Sequence, residues 1–199
     1  LKTRFPHCSG TAAVHAEPSG MSGSRWRVTS SSYVVDSEHL RLRKDRIELP
    51  DGRTIEDYYV KESRGFVVIF ATTADGRVVL VRQYKHGIGK VLLELPAGAI
   101  DPGEQPLQTA LREFSEETGY AGAMDLVHSF CTDPTNADTV AHLFYAPNVT
   151  LAGKQNLGLG EEITVELAAL DELHGFVRDG TIDSVAHVAS IYLMLDRLR

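Results

Sequence analysis

Residues 98–120 read GAIDPGEQPLQTALREFSEETGY, and the rest of the chain is best read outward from them. Pro106 to Thr118 is the clearest helix. Pro106 suits a first helical turn, where its missing N–H would have no partner anyway. Leu107, Ala110, Leu111 and Phe114 recur at i, i+3, i+4 and i+7, the spacing of one buried face. Gly119 supplies the C-terminal stop. The same helix is dense in carboxylates. Glu113 and Glu117 stand four residues apart, so they project from one face about one turn apart. Glu116 lies three residues from Glu113 and four from Arg112, within reach of the guanidinium. Like charges one turn apart repel by roughly a few tenths of a kcal/mol on an isolated helix, so three stacked glutamates call for a cation. Arg112 can serve Glu116. A hard divalent ion suits Glu113 and Glu117, because Mg²⁺ takes carboxylate oxygens and shares its other positions with water and substrate phosphates. The plainer alternative is a solvated charged face, as on most Glu-rich helices.

The flanking segments are rich in strands. Residues 27–35 and 40–49 favour β structure, the turn Pro50-Asp51-Gly52 follows, and 54–61 is a third candidate. Together they read as an N-terminal antiparallel β unit over 25–62. GFVVIFA at 65–71 is a continuous apolar run, fit for a strand buried on both faces. Asp75-Gly76 turns the chain into 77–84, and 91–95 is a short strand end. After the helix come strand candidates at 125–131, 139–146 and 163–169. Helix candidates follow at 171–178 and 184–198, the last capped by Asp183 with a stripe of Val185, Val188, Ala189, Tyr192 and Leu195. Strands dominate the middle without regular βαβ alternation. The expected class is α+β, a mixed β-sheet between helices.

Composition narrows the function. The chain has 199 residues, 20 Lys+Arg against 27 Asp+Glu, a net charge of −7 and 43% hydrophobic residues. That apolar share is enough to offset the ordering entropy of most of the chain. A net negative surface disfavours nucleic acid and anionic lipid as partners. An anionic substrate would need a bridging cation. Cys8 and Cys131 make no disulfide framework, and the eight histidines are scattered without zinc-ligand spacing. No apolar run approaches the ~20 residues of a membrane span, so a cytoplasmic setting is expected. Residues 1–24 are rich in Ser, Gly, Ala and His without periodicity. They read as a tail outside the fold, with Met21 as a candidate natural start.

The loop before the helix completes a pattern. Gly98, Glu104, then Arg112-Glu113-Phe114, Glu116-Glu117 and Gly119-Tyr120 resemble the Nudix box in full. Seven positions match by identity. With a background of about 7% for each residue type, a chance match is roughly one in a hundred million per starting position. Phe114 is bulkier than the aliphatic residue usual in its slot. The resemblance implies a Nudix fold, an α/β/α sandwich over 63–199, whose loop–helix–loop surrounds catalytic Mg²⁺, with Mn²⁺ as a substitute. It implies Glu113, Glu117 and the backbone carbonyl of Ala97 as metal ligands, and Glu116 as a third metal carboxylate or a near neighbour. Arg112 would orient the glutamates and Glu104 would fix the loop.

Residues 79–100, with LPAG at 95–98, resemble the ADP-ribose pyrophosphatase branch, as do Pro134 and residues 161–169. On that likeness the reaction is Mg²⁺-dependent hydrolysis of ADP-ribose to AMP and ribose 5-phosphate. Other nucleotide sugars such as GDP-mannose, or NADH, are rival substrates, and a ligand-sensing regulator is the rival of another class. Arg82 or Lys85 would contact phosphate. Lys85 stands where the family often carries Arg, a point charge in place of a bidentate fork. Glu94 would hold substrate or a basic partner. Trp26, Tyr58 and Tyr59 fall in the region that stacks adenine, with ordinary packing or interface burial as the alternative. The N-terminal unit would form a homodimer. Residues 147–160 form a long connection ending at Glu161-Glu162. A carboxylate there can close over the site and accept the water proton, Glu161 ahead of Glu162.

Overall fold

The structure, a computed structural model, describes residues 26–38 and 40–199, so the expectation for residues 1–24 lies outside the described residues. Two compact units emerge, the first ending at Ser63 and including residues 133–138, the second made of 64–132 and 139–199. The expected division at 62/63 therefore lacked one piece, a short segment drawn from far along the chain.

In the first unit, β1 (Arg27–Asp36), β2 (Arg41–Glu48) and β3 (Thr54–Glu62) form an antiparallel sheet in that order. A single sheet of this size has little core. Ile47 is its buried apolar side chain, and Asp45 is buried because Ser31 (2.6 Å) and Arg43 (2.9 Å) donate to its carboxylate. Residues 133–138 join through the Lys61 N–H, which donates to the Asn136 carbonyl at 2.8 Å, and through Tyr58, whose hydroxyl donates to the Thr135 carbonyl at 2.6 Å.

In the second unit the apolar run becomes β4 (Phe66–Thr73), the spine of a mixed sheet. Its neighbours are β5 (Val78–Lys85), β6 (Lys90–Glu94), β7 (Ala97–Ala99), β8 (Tyr120–Ala121), β9 (Asp125–Cys131), β10 (Val140–Leu151) and β11 (Ile163–Ala168). The main path is β11-β5-β4-β10-β8. Only β4 and β10 run parallel. Alternation along β4 sends its side chains into two cores. Val67, Ile69 and Ala71 meet Ala110 and Phe114 of α1 (Pro106–Thr118) on one side. Val68 and Phe70 meet Leu173, Ile191 and Met194 on the other, contributed by α2 (Leu173–Arg178) and α3 (Val185–Arg197). This is the expected helix–sheet–helix sandwich.

Several local expectations are corrected. Leu107 and Leu111 are exposed, and α1 buries Thr109, Ala110, Phe114, Glu117 and Thr118 instead. Val185 and Tyr192 of α3 are exposed, and the buried face is His187, Ser190, Ile191, Met194 and Leu195. Ser190 tolerates burial because its hydroxyl donates to the Ala186 carbonyl at 2.7 Å. Ser184, not Asp183, is the N-cap of α3. The connection expected at 147–160 is shorter, because β10 continues to Leu151. A register shift between Ala146 and Val149, with Asn148 at φ 53°, carries the strand past Pro147 as a bulge.

Candidate active site

The N-cap of α1 is Gln105, whose N–H donates to the Gln108 side chain at 3.2 Å. It ends at Gly119 in the left-handed region, φ 74°, with the Gly119 N–H on the Ser115 carbonyl at 2.8 Å. A Cβ on Gly119 would also lie 2.7 Å from the Gly153 carbonyl oxygen. Along the sheet-facing side, Glu117 follows Phe114 by one turn. The period that buries Phe114 thus carries a carboxylate inward beside β7. There the Ala97 N–H donates to Glu117 Oε2 at 3.0 Å. Gly98, next along β7, faces Glu113 so closely that a Cβ would sit 2.0 Å from Glu113 Cδ. A side chain at this position would have to displace the Glu113 carboxylate.

Arg112 organises the outer glutamates. Its Nε and one terminal nitrogen grip both oxygens of Glu104, at 3.0 and 2.9 Å. Its other nitrogen donates to Glu113 at 2.8 Å and to Glu116 at 3.0 Å. Thr109 donates to Glu104 as well, at 2.8 Å. The guanidinium, helped by that hydroxyl, holds the Glu104 carboxyl down at about 2. Glu104 fixes the loop onto the helix, as expected from the sequence.

Glu117 has the opposite electrostatics. It is 4% exposed, and among the described residues no Lys or Arg lies within salt-bridge reach of it. Burial pushes its carboxyl up to about 8; the Ala97 N–H and the more distant Lys85 charge pull it down, and the Glu113 and Glu161 charges push it up. Burial also raises Glu113. Among the described residues no three acidic, imidazole or thiol groups already form a cation cage. Arg112 occupies Glu113 and Glu116 instead. The donor chemistry nonetheless fits a hard divalent ion. Glu113, Glu116 and Glu117 follow one another within a little over one turn of α1, Glu117 holds the Ala97 N–H of β7, and this most buried of the three carboxylates has no salt-bridge partner among the described residues.

Beside Ala97 and Gly98 opens a cavity of about 560 Å³, whose wall includes Lys85, Glu94 and His187. Lys85 Nζ lies 2.8 Å from the buried Glu94 carboxylate. On the other side of Glu94, His187 stands at 3.6 Å, its Nδ1 accepting the Leu95 N–H at 3.2 Å. Burial holds His187 down at about 4, hence neutral. Arg82 is not part of that wall. It pairs through two nitrogens with Glu166 on β11, so of the two expected phosphate contacts only Lys85 lines the cavity. Glu161 accepts the Gly158 N–H at 2.7 Å, and its charge is felt at both Glu113 and Glu117. Glu162 is exposed. In the N-terminal unit, Trp26 meets Tyr58 edge to face with centroids 5.9 Å apart, and Trp26 and Tyr59 stay half-exposed.

Sequence reasoning missed His187 and Gln155. The histidine belonged to no metal-ligand spacing. Gln155 sits in an unpatterned loop, yet donates to the carbonyls of Glu117 (2.7 Å) and Ile163 (3.1 Å). No local signal marks such a contact, because its partners lie 38 and 8 residues away.

Residues 61–186 match the family model described as NUDIX domain. Residues 26–60 match one described as nucleoside diphosphate sugar hydrolase N-terminal domain. A Bacillus methanolicus protein named methanol dehydrogenase activator is 38% identical over 174 residues, 85% of this chain and 92% of its own. The ADP-ribose pyrophosphatase of Bacillus subtilis (strain 168) is 30% identical over 172 residues, with the same shares of 85% and 92%. A solved structure described as an ADP compounds hydrolase superposes with a TM-score of 0.80 at 19% identity, over 90% of this chain and 97% of that one, a likeness of fold. No helix among the described residues is long and apolar enough to cross a membrane. With its family match spanning most of the residues and its glutamate-bearing helix set against Ala97 and Gly98, the chain belongs to the Nudix family.

Proposed function

We propose that the chain hydrolyses the pyrophosphate bond of ADP-ribose, releasing AMP and ribose 5-phosphate, with Mg²⁺ as cofactor and Mn²⁺ able to replace it. The observation that carries the chemistry is Glu117, a buried carboxylate without a counter-charge beside Glu113. The substrate class is supported by the N-terminal match to nucleoside diphosphate sugar hydrolases and by the name of the B. subtilis relative.

Glu113, Glu116, Glu117 and the Ala97 carbonyl would hold the ion. Polarisation of the pyrophosphate oxygens and of the attacking water is the chemistry it supplies when bound. Arg112, anchored on Glu104, keeps Glu113 and Glu116 in position and yields their oxygens. Lys85, held by Glu94, offers its remaining N–H donors to a phosphate oxygen. Glu161, with Glu162 as the second choice, accepts the proton of the attacking water after letting go of the Gly158 N–H. Trp26, Tyr58 and Tyr59 are the candidates for stacking the base. A homodimer through the N-terminal sheet and a cytoplasmic location complete the reading. The exposed Trp26, Val28, Tyr33 and Val34 support the dimer.

The test is nucleoside monophosphate release, AMP from ADP-ribose and NADH and GMP from GDP-mannose, each with Mg²⁺, Mn²⁺ or EDTA. ADP-ribose should be the best substrate, and EDTA should abolish release. The B. methanolicus relative is named for activating another enzyme, and the second reading is a ligand-sensing regulator. Tight ADP-ribose binding with no release from any substrate would establish that instead.

A further inference from the structure

The segment between β10 and β11, residues 152–162, is fastened to the end of α1. A helix normally leaves its last carbonyls without intrahelical partners. Here the segment supplies donors for them. Ala152 and Gly153 N–H groups reach the Gly119 carbonyl at 2.9 and 3.0 Å, and the Asn156 N–H reaches the Glu116 carbonyl at 2.9 Å. Gln155 does more. One side-chain amide nitrogen donates to the carbonyl of Glu117 at 2.7 Å and to that of Ile163 at 3.1 Å. Its two protons thus tie the helix to the first residue of β11, and the arc 156–162 is pinned at both ends. Within the arc the turn Gly158–Glu161 is closed by Glu161 N–H on the Gly158 carbonyl at 3.2 Å and Gly158 N–H on the Glu161 carboxylate at 2.7 Å. The tip, Leu159, is fully exposed, and within 156–162 Leu157 is the one residue that is partly buried.

We propose that Gln155 is a positioning residue, a clamp at the base of the arc that sets the distance of Glu161 from Glu113 and Glu117. It touches neither substrate nor ion. It acts through the main-chain carbonyl of a residue whose side chain belongs to the site, so a shift of the arc becomes a shift of Glu161 against that helix. Asn156 is the only other contact from the arc to α1 among the described residues' main-chain bonds, and it follows Gln155 directly. The inference rests on the hydrolase reading above.

Gln155→Met keeps the length of the side chain and removes both donors. Amide hydrogen exchange, which needs no turnover, should speed up across 156–162 in this variant. On ADP-ribose with Mg²⁺, kcat should fall about tenfold or more while KM stays within about twofold, because misplacement of a reacting group costs rate rather than affinity. In a Glu161→Gln background, with enzyme in excess of substrate, Gln155→Met should add no further loss. Unchanged exchange at 156–162, or an equal kcat loss with and without Glu161, overturns the proposal. If the parent releases no AMP at all, the hydrolase reading falls, and with it the role assigned toward Glu161; the exchange result then decides only the clamp.

Discussion

Removing the charge of Glu117 should make the metal-free protein more stable while abolishing most of its turnover. The carboxyl ordinarily titrates near 4.5 and is pushed up to about 8 here, first by burial and then by the Glu113 charge. The folded chain therefore holds that proton more tightly than the unfolded chain. The penalty is absent below about pH 4.5, grows as the pH rises, and levels off above about 8. At 1.36 kcal/mol for each pH unit, it amounts to about 3 kcal/mol at pH 7. Glu117→Gln removes it and can keep an oxygen on the Ala97 N–H. Urea unfolding in EDTA at pH 7 to 8 should show the variant more stable by an amount on that order, with the difference vanishing near pH 4.5. Adding Mg²⁺ should stabilise the parent and leave the variant unmoved. A parent as stable as the variant in EDTA at pH 8 would refute the claim that this carboxylate is buried without a counter-charge.

Gly98→Ala should displace the Glu113 carboxylate, since its Cβ would lie 2.0 Å from Glu113 Cδ. A turnover loss of about a hundredfold is expected, and parent-like rates would show that Glu113 has room to move. His187 gives an opposite pH signature to that of Glu117. Burial lowers it from 6.5 to about 4, so protonation favours the unfolded chain, and about 3 kcal/mol is lost as the pH falls from 6.5 to 4. His187→Asn should flatten that part of the stability profile. Val34→Asp, placed on the exposed face of β1, should turn a dimer into monomer by light scattering; a parent that is already monomeric at micromolar concentration defeats the dimer proposal.

The local features of α1 were readable in the sequence because their causes are local. Pro106 and Gly119 act within one turn of themselves, and the one-turn spacing of Glu113 and Glu117 needs only the helical period. Which face of α1 is buried was harder to read. An apolar template selects Leu107 and Leu111, whereas the sheet receives Thr109, Glu117 and Thr118. Thr118 qualifies because its hydroxyl donates to the Phe114 carbonyl, and Thr109 because it donates to Glu104. The same effect hides the true face of α3, where Ser190 is satisfied by its own helix and His187 by the Leu95 N–H. Pro147 reads as a strand end, yet β10 resumes beyond it to pair Thr150 with Ala121 and Leu151 with Tyr120. Lys85 and Arg82 looked interchangeable as phosphate contacts. Their separation follows from partners on other strands, Glu94 and Glu166, that no local pattern connects to them.

The parallel pairing of β4 with β10 has a consequence for biosynthesis. Phe66 pairs opposite Ala141, and this register continues to Ala71 opposite Ala146, before the bulge that brings Val149 opposite Thr73. Phe114 of α1 packs on a floor made from both strands, Val67 and Ile69 from one and Phe144 from the other. A nascent chain that has left the ribosome only as far as Tyr120 therefore carries every glutamate of the motif and half of the platform beneath it. Contacts between such distant segments are slow to form, because loop closure precedes any gain. Fragments cut just after the signature stretch should bind magnesium no better than an arbitrary acidic peptide.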